Sequence, residues 1–157
     1  MDHPTKTGAR GGQWGPGRTT LVYLGLFALL ASIMASPFLW GGYGFAYVDI
    51  GGDTYVQFYP LNVEIARQMA EGVGPSWSFR LGLGAYTATH FDPIWMIQGL
   101  LPESSQLQAR IYVYLFKIGL GGLLFAFYAG MVGLRGMLGV LAGLAYAFSD
   151  YAVINAQ

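Results

Sequence analysis

Apolar and polar positions alternate along this chain in long blocks, and the blocks predict helices of membrane-spanning length. Thr19 to Trp40 carries no charge. At about 1.5 Å of rise per residue, its roughly 22 residues reach about 33 Å, enough to cross a bilayer core. A cleaved signal peptide is the competing reading of this block, given its basic start and the small residues from Ala31 to Ser36. The run is longer than a signal core of about 7–15 residues, which favours a retained helix over 19–40. Pro37, Gly41, Gly42 and Gly44 mark its end, and Trp40, Tyr43 and Tyr47 suit a membrane interface. A second block, Ala109 to Val132, predicts a second span, and a third begins at Met137 and runs to Gln157.

Between the first two spans lies a long loop, 41–108, with six acids (Asp49, Asp53, Glu64, Glu71, Asp92 and Glu103) against two bases, Arg67 and Arg80. Pro60 suits a helix's first turn and Gly72 its stop, so 60–71 is expected to be a short helix. Leu61, Ile65 and Met69 give it an apolar stripe, and Glu64, Arg67, Gln68 and Glu71 fill much of the polar side, with Glu64, Arg67 and Glu71 read as its wet side. About 12 residues are too few to span, so this helix is expected on the membrane surface or against other helices. Ile94 to Leu101 is an apolar patch between prolines, expected to dip into the interface.

Small residues recur at helical spacing in the later spans. Gly122, Ala126 and Gly130 form one face, and Gly139, Gly143 and Ala147 another. Faces of this kind let two helices approach closely, so the second and third spans are expected to pair as a tight hairpin. Residues 1–18 are polar, glycine-rich and basic, which predicts a disordered tail held in the cytoplasm by the positive-inside rule.

Composition strengthens the membrane reading. The chain has 157 residues, 54% hydrophobic and only 10% charged, against about 25% charged in soluble domains. Eight basic and eight acidic residues cancel, so no basic surface argues for nucleic acid. There is no cysteine, which removes disulfides and thiol chemistry. The two histidines, His3 and His90, are too far apart in sequence to suggest a histidine-based zinc site. The predicted fold class is therefore an all-α integral membrane protein, multi-pass, with about three spans and a long extracytoplasmic first loop. Its spare packing face predicts further helices, from a longer chain or a partner subunit.

The candidate chemistry gathers in the stretch DIGGDTYVQFYP, Asp49 to Pro60. A carboxylate here can accept a proton from a hydroxyl, or help to hold a divalent metal against a phosphate. Asp53 is the leading candidate and Asp49 its neighbour, while both acids serving only as turn or helix caps is the competing reading. Gln57 and Tyr59 are placed to hydrogen-bond a sugar or a phosphate. Lys117, inside the second span about 10 Å beyond Arg110, is a candidate for a lipid phosphate or a snorkelling side chain. Arg80 is a weaker anion-binding candidate, and His90 with Asp92 a weaker pair.

The order of these features resembles the N-terminal portion of the YfhO-type bacterial membrane proteins, within the GT-C polytopic glycosyltransferases. The resemblance is carried by Asp53, Gln57, Tyr59 and Pro60; by Trp77; by Gly82, Leu83 and Gly84; and by Pro93, Lys117, Leu144 to Ser149 and Tyr151. It implies a GT-C-like fold in a bacterial plasma membrane, and transfer of a sugar from a polyprenyl-phosphate donor on the outer face. The acceptor it implies is a cell-envelope polymer or glycolipid. Asp53 would be the catalytic acid, supported by Asp49, with Lys117 and Arg80 facing the donor phosphate. Some such enzymes use a divalent cation, Mg or Mn, which Asp53 would position. Such proteins have many more spans than the three predicted here, so the chain is expected to be an N-terminal piece. A non-enzymatic membrane subunit, whose outer loop binds a lipid or protein partner, is the alternative.

Overall fold

The computed structural model describes residues 14–45, 57–87 and 93–155, and it is mostly helical. In chain order the elements are α1 (Pro16–Met34), α2 (Ser36–Leu39), α3 (Tyr59–Ala70), β1 (Trp77–Ser78), β2 (Ala85–Tyr86) and α4 (Pro93–Gly99). A 3-10 turn (Glu103–Ser105) then leads into α5 (Gln106–Met131), followed by α6 (Met137–Ala147) and α7 (Asp150–Asn155). Among the described residues two helices are long and apolar enough to cross a membrane. They are Pro16–Met34, with mean hydropathy 1.5, and Glu103–Met131, with 1.6; only 17% and 33% of their most apolar windows are buried. The chain divides into two compact units, 1–29 with 118–154 and 30–117 with 155–157.

The first unit is built on small residues. A Cβ added at Gly122 would stand 2.7 Å from Gly143 O and 2.7 Å from Ala147 Cβ, and one at Gly143 would stand 2.7 Å from Ala126 Cβ. The two small-residue faces therefore pack against each other, as their spacing predicts. Tyr23 of α1 is wholly buried with Ala126, Val140 and Leu144, and its hydroxyl donates to Gly119 O at 2.9 Å. Its ring stacks on Phe27, which stacks in turn on Phe148. The turn between α5 and α6 follows from glycine. Gly133 takes φ 106°, Leu134 N–H reaches Ala129 O at 2.8 Å and Gly133 N–H reaches Gly130 O at 3.3 Å. This closes α5 with a Schellman motif.

The third predicted span, 137–157, is not one helix. α6 ends at Ala147 after 11 residues, or about 16 Å, too short to cross. Ser149 breaks the run: its Oγ donates to Tyr146 O at 2.7 Å and accepts from Ala152 N–H at 3.3 Å. That second bond is an N-cap for α7, with Asp150 in the first turn where the helix dipole favours an acid. The first predicted span, 19–40, is likewise divided. α1 starts earlier, at Pro16, so the last residues of the predicted tail are helical, and α2 takes over after Ala35.

In the second unit α3 runs from Tyr59 to Ala70, close to the predicted 60–71, with Pro60 in its first turn. Gly72 at φ 72° ends it, with Val73 N–H on Gln68 O at 2.8 Å. Leu61 and Ile65 form a core with Phe58, Met69, Leu81 and Val113. The patch expected at the interface, 94–101, forms α4 and packs on α3, where Gly99 meets Ile65 and Met69. β1 and β2 pair antiparallel, Trp77 with Tyr86 and Ser78 with Ala85.

Candidate functional site

Four of the six predicted site residues are described. Gln57 is exposed just before α3, and Tyr59, half-buried, is its first residue. Arg80 is exposed in the turn of the hairpin, where its backbone N–H donates to Ser78 Oγ at 3.2 Å. Lys117 is half-buried on α5. Asp49 and Asp53 lie outside the described residues, as do His90 and Asp92.

Contrary to its reading from spacing, the polar side of α3 is solvated only at Glu71, with Arg67 half-buried and Glu64 and Gln68 buried. Glu64 is 5% exposed and Gln68 7%. Ser78 Oγ donates to Glu64 Oε1 at 2.7 Å, and Arg67 forms an ion pair with Glu64 Oε2. Arg67 also reaches Glu103 at 3.1 Å. Gln68 Oε1 accepts from Ser76 N–H at 3.0 Å and lies 2.9 Å from Thr87 Oγ1. The hairpin thus covers the polar face of α3 and satisfies its buried groups, as burial requires. This network is structural: Ser78, Ser76 and Thr87 fasten α3 to the hairpin, and Arg67 fastens it to Glu103 of the 3-10 turn.

The two ends of the loop before α5 are clamped by a second buried pair. Gln98 Nε2 donates to Gln106 Oε1 at 3.1 Å, and Gln106 Nε2 donates to Gln98 O at 3.0 Å and to Leu101 O at 2.9 Å. The clamp fixes the start of α5 and with it the cation one turn further on, Arg110. Arg110 is only 5% exposed.

Three buried side-chain atoms have no hydrogen-bond partner among the described residues: Asn62 Oδ1, Gln98 Oε1 and Arg110 Nη1. The third matters most. A buried guanidinium group left with an unused donor is costly, because desolvation of the charge is not fully offset. Arg110 stands seven residues before Lys117 on α5, and that interval is close to two helical turns, so both cations lie on one side of the helix. Two cations on one side of an apolar helix suit a phosphate, Arg through its planar fork and Lys as a point charge. The signal available in sequence was this seven-residue interval together with Gln106 one turn before.

Among the described residues no group of three or more His, Asp or Glu side chains is placed to hold a metal ion. Comparison of the chain with protein-family models, with curated proteins and with solved structures finds no match.

Proposed function

We propose that the chain is a membrane glycosyltransferase, or the N-terminal portion of one, that takes a sugar from a polyprenyl-phosphate donor and passes it to a cell-envelope polymer or glycolipid. Arg110 is the observation that carries the reading. It is a buried cation with an unused donor, set in a helix apolar enough to cross a bilayer. Ionisable groups in such helices face protein or a water-filled cavity and mark the path of a substrate or ion. Lys117 adds a second positive charge on the same side. The large apolar side chains that α1 and α5 leave exposed, among them Leu21, Ile33, Phe116 and Leu124, support lipid as their solvent.

In this reading Arg110 and Lys117 hold the donor phosphate, and Gln57 and Tyr59 supply hydrogen bonds to sugar or phosphate. Arg80 adds a positive charge from the hairpin turn. The acceptor hydroxyl oxygen attacks the anomeric carbon of the donor. The bond from that carbon to the phosphate oxygen breaks, and the polyprenyl phosphate leaves with the electron pair. Asp53 accepts the hydroxyl proton, with Asp49 beside it in sequence. A divalent cation, Mg or Mn, would be held by Asp53 and would neutralise charge at the donor phosphate; no step above depends on it.

The test is transfer of labelled sugar from a polyprenyl-phosphate donor in membranes that carry the full chain. Asp53→Asn should abolish transfer while leaving the protein inserted at its normal abundance. Arg110→Gln should lower transfer at least about tenfold, through loss of a charge-assisted contact. Transfer that is undiminished in Asp53→Asn contradicts the proposed chemistry. Absence of transfer by the unaltered chain, with every donor and with its neighbouring gene products added, favours a binding subunit instead.

A further inference from the structure

The first compact unit holds a cavity of about 310 Å³ that the proposed chemistry does not use. Its volume is at the lower end of the range for ligand pockets, about 300–1,000 Å³. Ala126 and Gly130 of α5 and Gly139 of α6 line it, and of the two glycines Gly130 is the one beside open space. Trp14 and Arg135 line it too, and Arg135 is exposed. Arg18 lies over the Trp14 ring, 4.6 Å from its centroid.

Charge in this unit is arranged along α6. Arg135 stands two residues before the helix and lines the cavity, and Arg18 lies against the Trp14 ring that also lines it. Asp150, the one acid among the unit's described residues, follows the other end of α6. The cavity is therefore mostly apolar, with positive charge beside it and an amphipathic indole in its lining. That combination fits an amphiphile with an anionic head better than a free anion, which would leave the apolar lining unmatched. Tryptophan and arginine are also the residues that settle at the level of lipid head groups. The positive-inside rule places this end at the cytoplasmic leaflet, where anionic lipids are held.

We infer that this cavity is a binding site for an anionic glycerophospholipid, with an acyl chain against Ala126, Gly130 and Gly139 and the phosphate paired with Arg135 and Arg18. The inference rests on the membrane reading given above but not on the transferase chemistry. None of the cavity's lining residues is among those assigned to the donor.

Native mass spectrometry of the full chain in detergent, titrated with phosphatidylglycerol or phosphatidylcholine of matched chain length, tests it. The unaltered chain should retain phosphatidylglycerol in preference. Arg135→Gln should reduce that preference about five-fold, the effect of one basic side chain at an anionic lipid surface. Gly130→Leu should remove retention of both lipids. An added Cβ at Gly130 meets nothing within 4 Å, so the larger side chain enters the cavity without forcing the helices apart. Gly25→Leu is the control, because a Cβ there also meets nothing within 4 Å and Gly25 does not line the cavity. Equal retention by the unaltered chain, Gly130→Leu and Arg135→Gln overturns the inference. Alkaline carbonate extraction of the chain from membranes separates the two failures. A chain released by carbonate defeats the membrane reading and the lipid site together, whereas a retained chain with no phosphatidylglycerol preference defeats the lipid site alone.

Discussion

Gly121 and Gly122 are neighbours on α5, and the same substitution should move stability in opposite directions. A Cβ at Gly122 would meet Gly143 O at 2.7 Å, Ala147 Cβ at 2.7 Å and the Tyr23 hydroxyl. Two of these are a backbone oxygen and a helix Cβ, which move only if the helices separate. Overpacking of this kind costs about 1–3 kcal/mol. A Cβ at Gly121 meets only Tyr146 Cε1 at 3.5 Å, an ordinary contact. Each replacement by alanine gains about 0.8–1 kcal/mol of helix propensity. That gain is common to both sites and cancels in their difference. Gly122→Ala should therefore be about 1–3 kcal/mol less stable than Gly121→Ala, and Gly121→Ala should equal or exceed the unaltered chain. Reversible unfolding in mixed detergent, followed by circular dichroism, reads both values. A difference below about 0.5 kcal/mol would refute the close approach of α5 and α6.

Tyr23→Phe removes the hydroxyl that donates to Gly119 O, and should cost about 0.5–1.5 kcal/mol in the same unfolding assay. Glu64→Gln weakens the buried network joining α3 to the hairpin. It should cost about 1–3 kcal/mol and speed proteolytic cleavage between residues 79 and 84, while Glu71→Gln, on an exposed residue, should stay within about 0.5 kcal/mol.

The parts of this fold legible in sequence are those set by one-dimensional rules. Pro60 and Gly72 bracket α3 because each acts on the backbone of its own residue. Gly122, Ala126, Gly139 and Gly143 announce a helix pair because close approach needs small residues on both partners. Burial of Glu64 and Gln68 was not legible, because periodicity shows which residues share a side but not what covers it. Here the cover is a two-residue-stranded hairpin supplied by residues 76 to 87. The interruption after Ala147 was hidden by a different cause. Apolar content continues across Ser149, whose side-chain hydrogen bonds lie at the boundary between the two helices. Burial of Arg110 was not legible either, because a cation near the end of an apolar block has the same sequence signature whether it reaches water or is buried. The candidate acids, Asp49 and Asp53, fall outside the described residues.

The account turns on Arg110 as a group that holds a lipid-linked phosphate. The most direct measurement is binding of polyprenyl phosphate and of the matching polyprenol to the detergent-solubilised chain, with and without Arg110→Gln. The account predicts that the phosphate binds at least about tenfold more tightly than the alcohol. Arg110→Gln should bring the two toward parity without changing affinity for the alcohol. Equal affinity for phosphate and alcohol in the unaltered chain, or a preference that Arg110→Gln leaves intact, would contradict it.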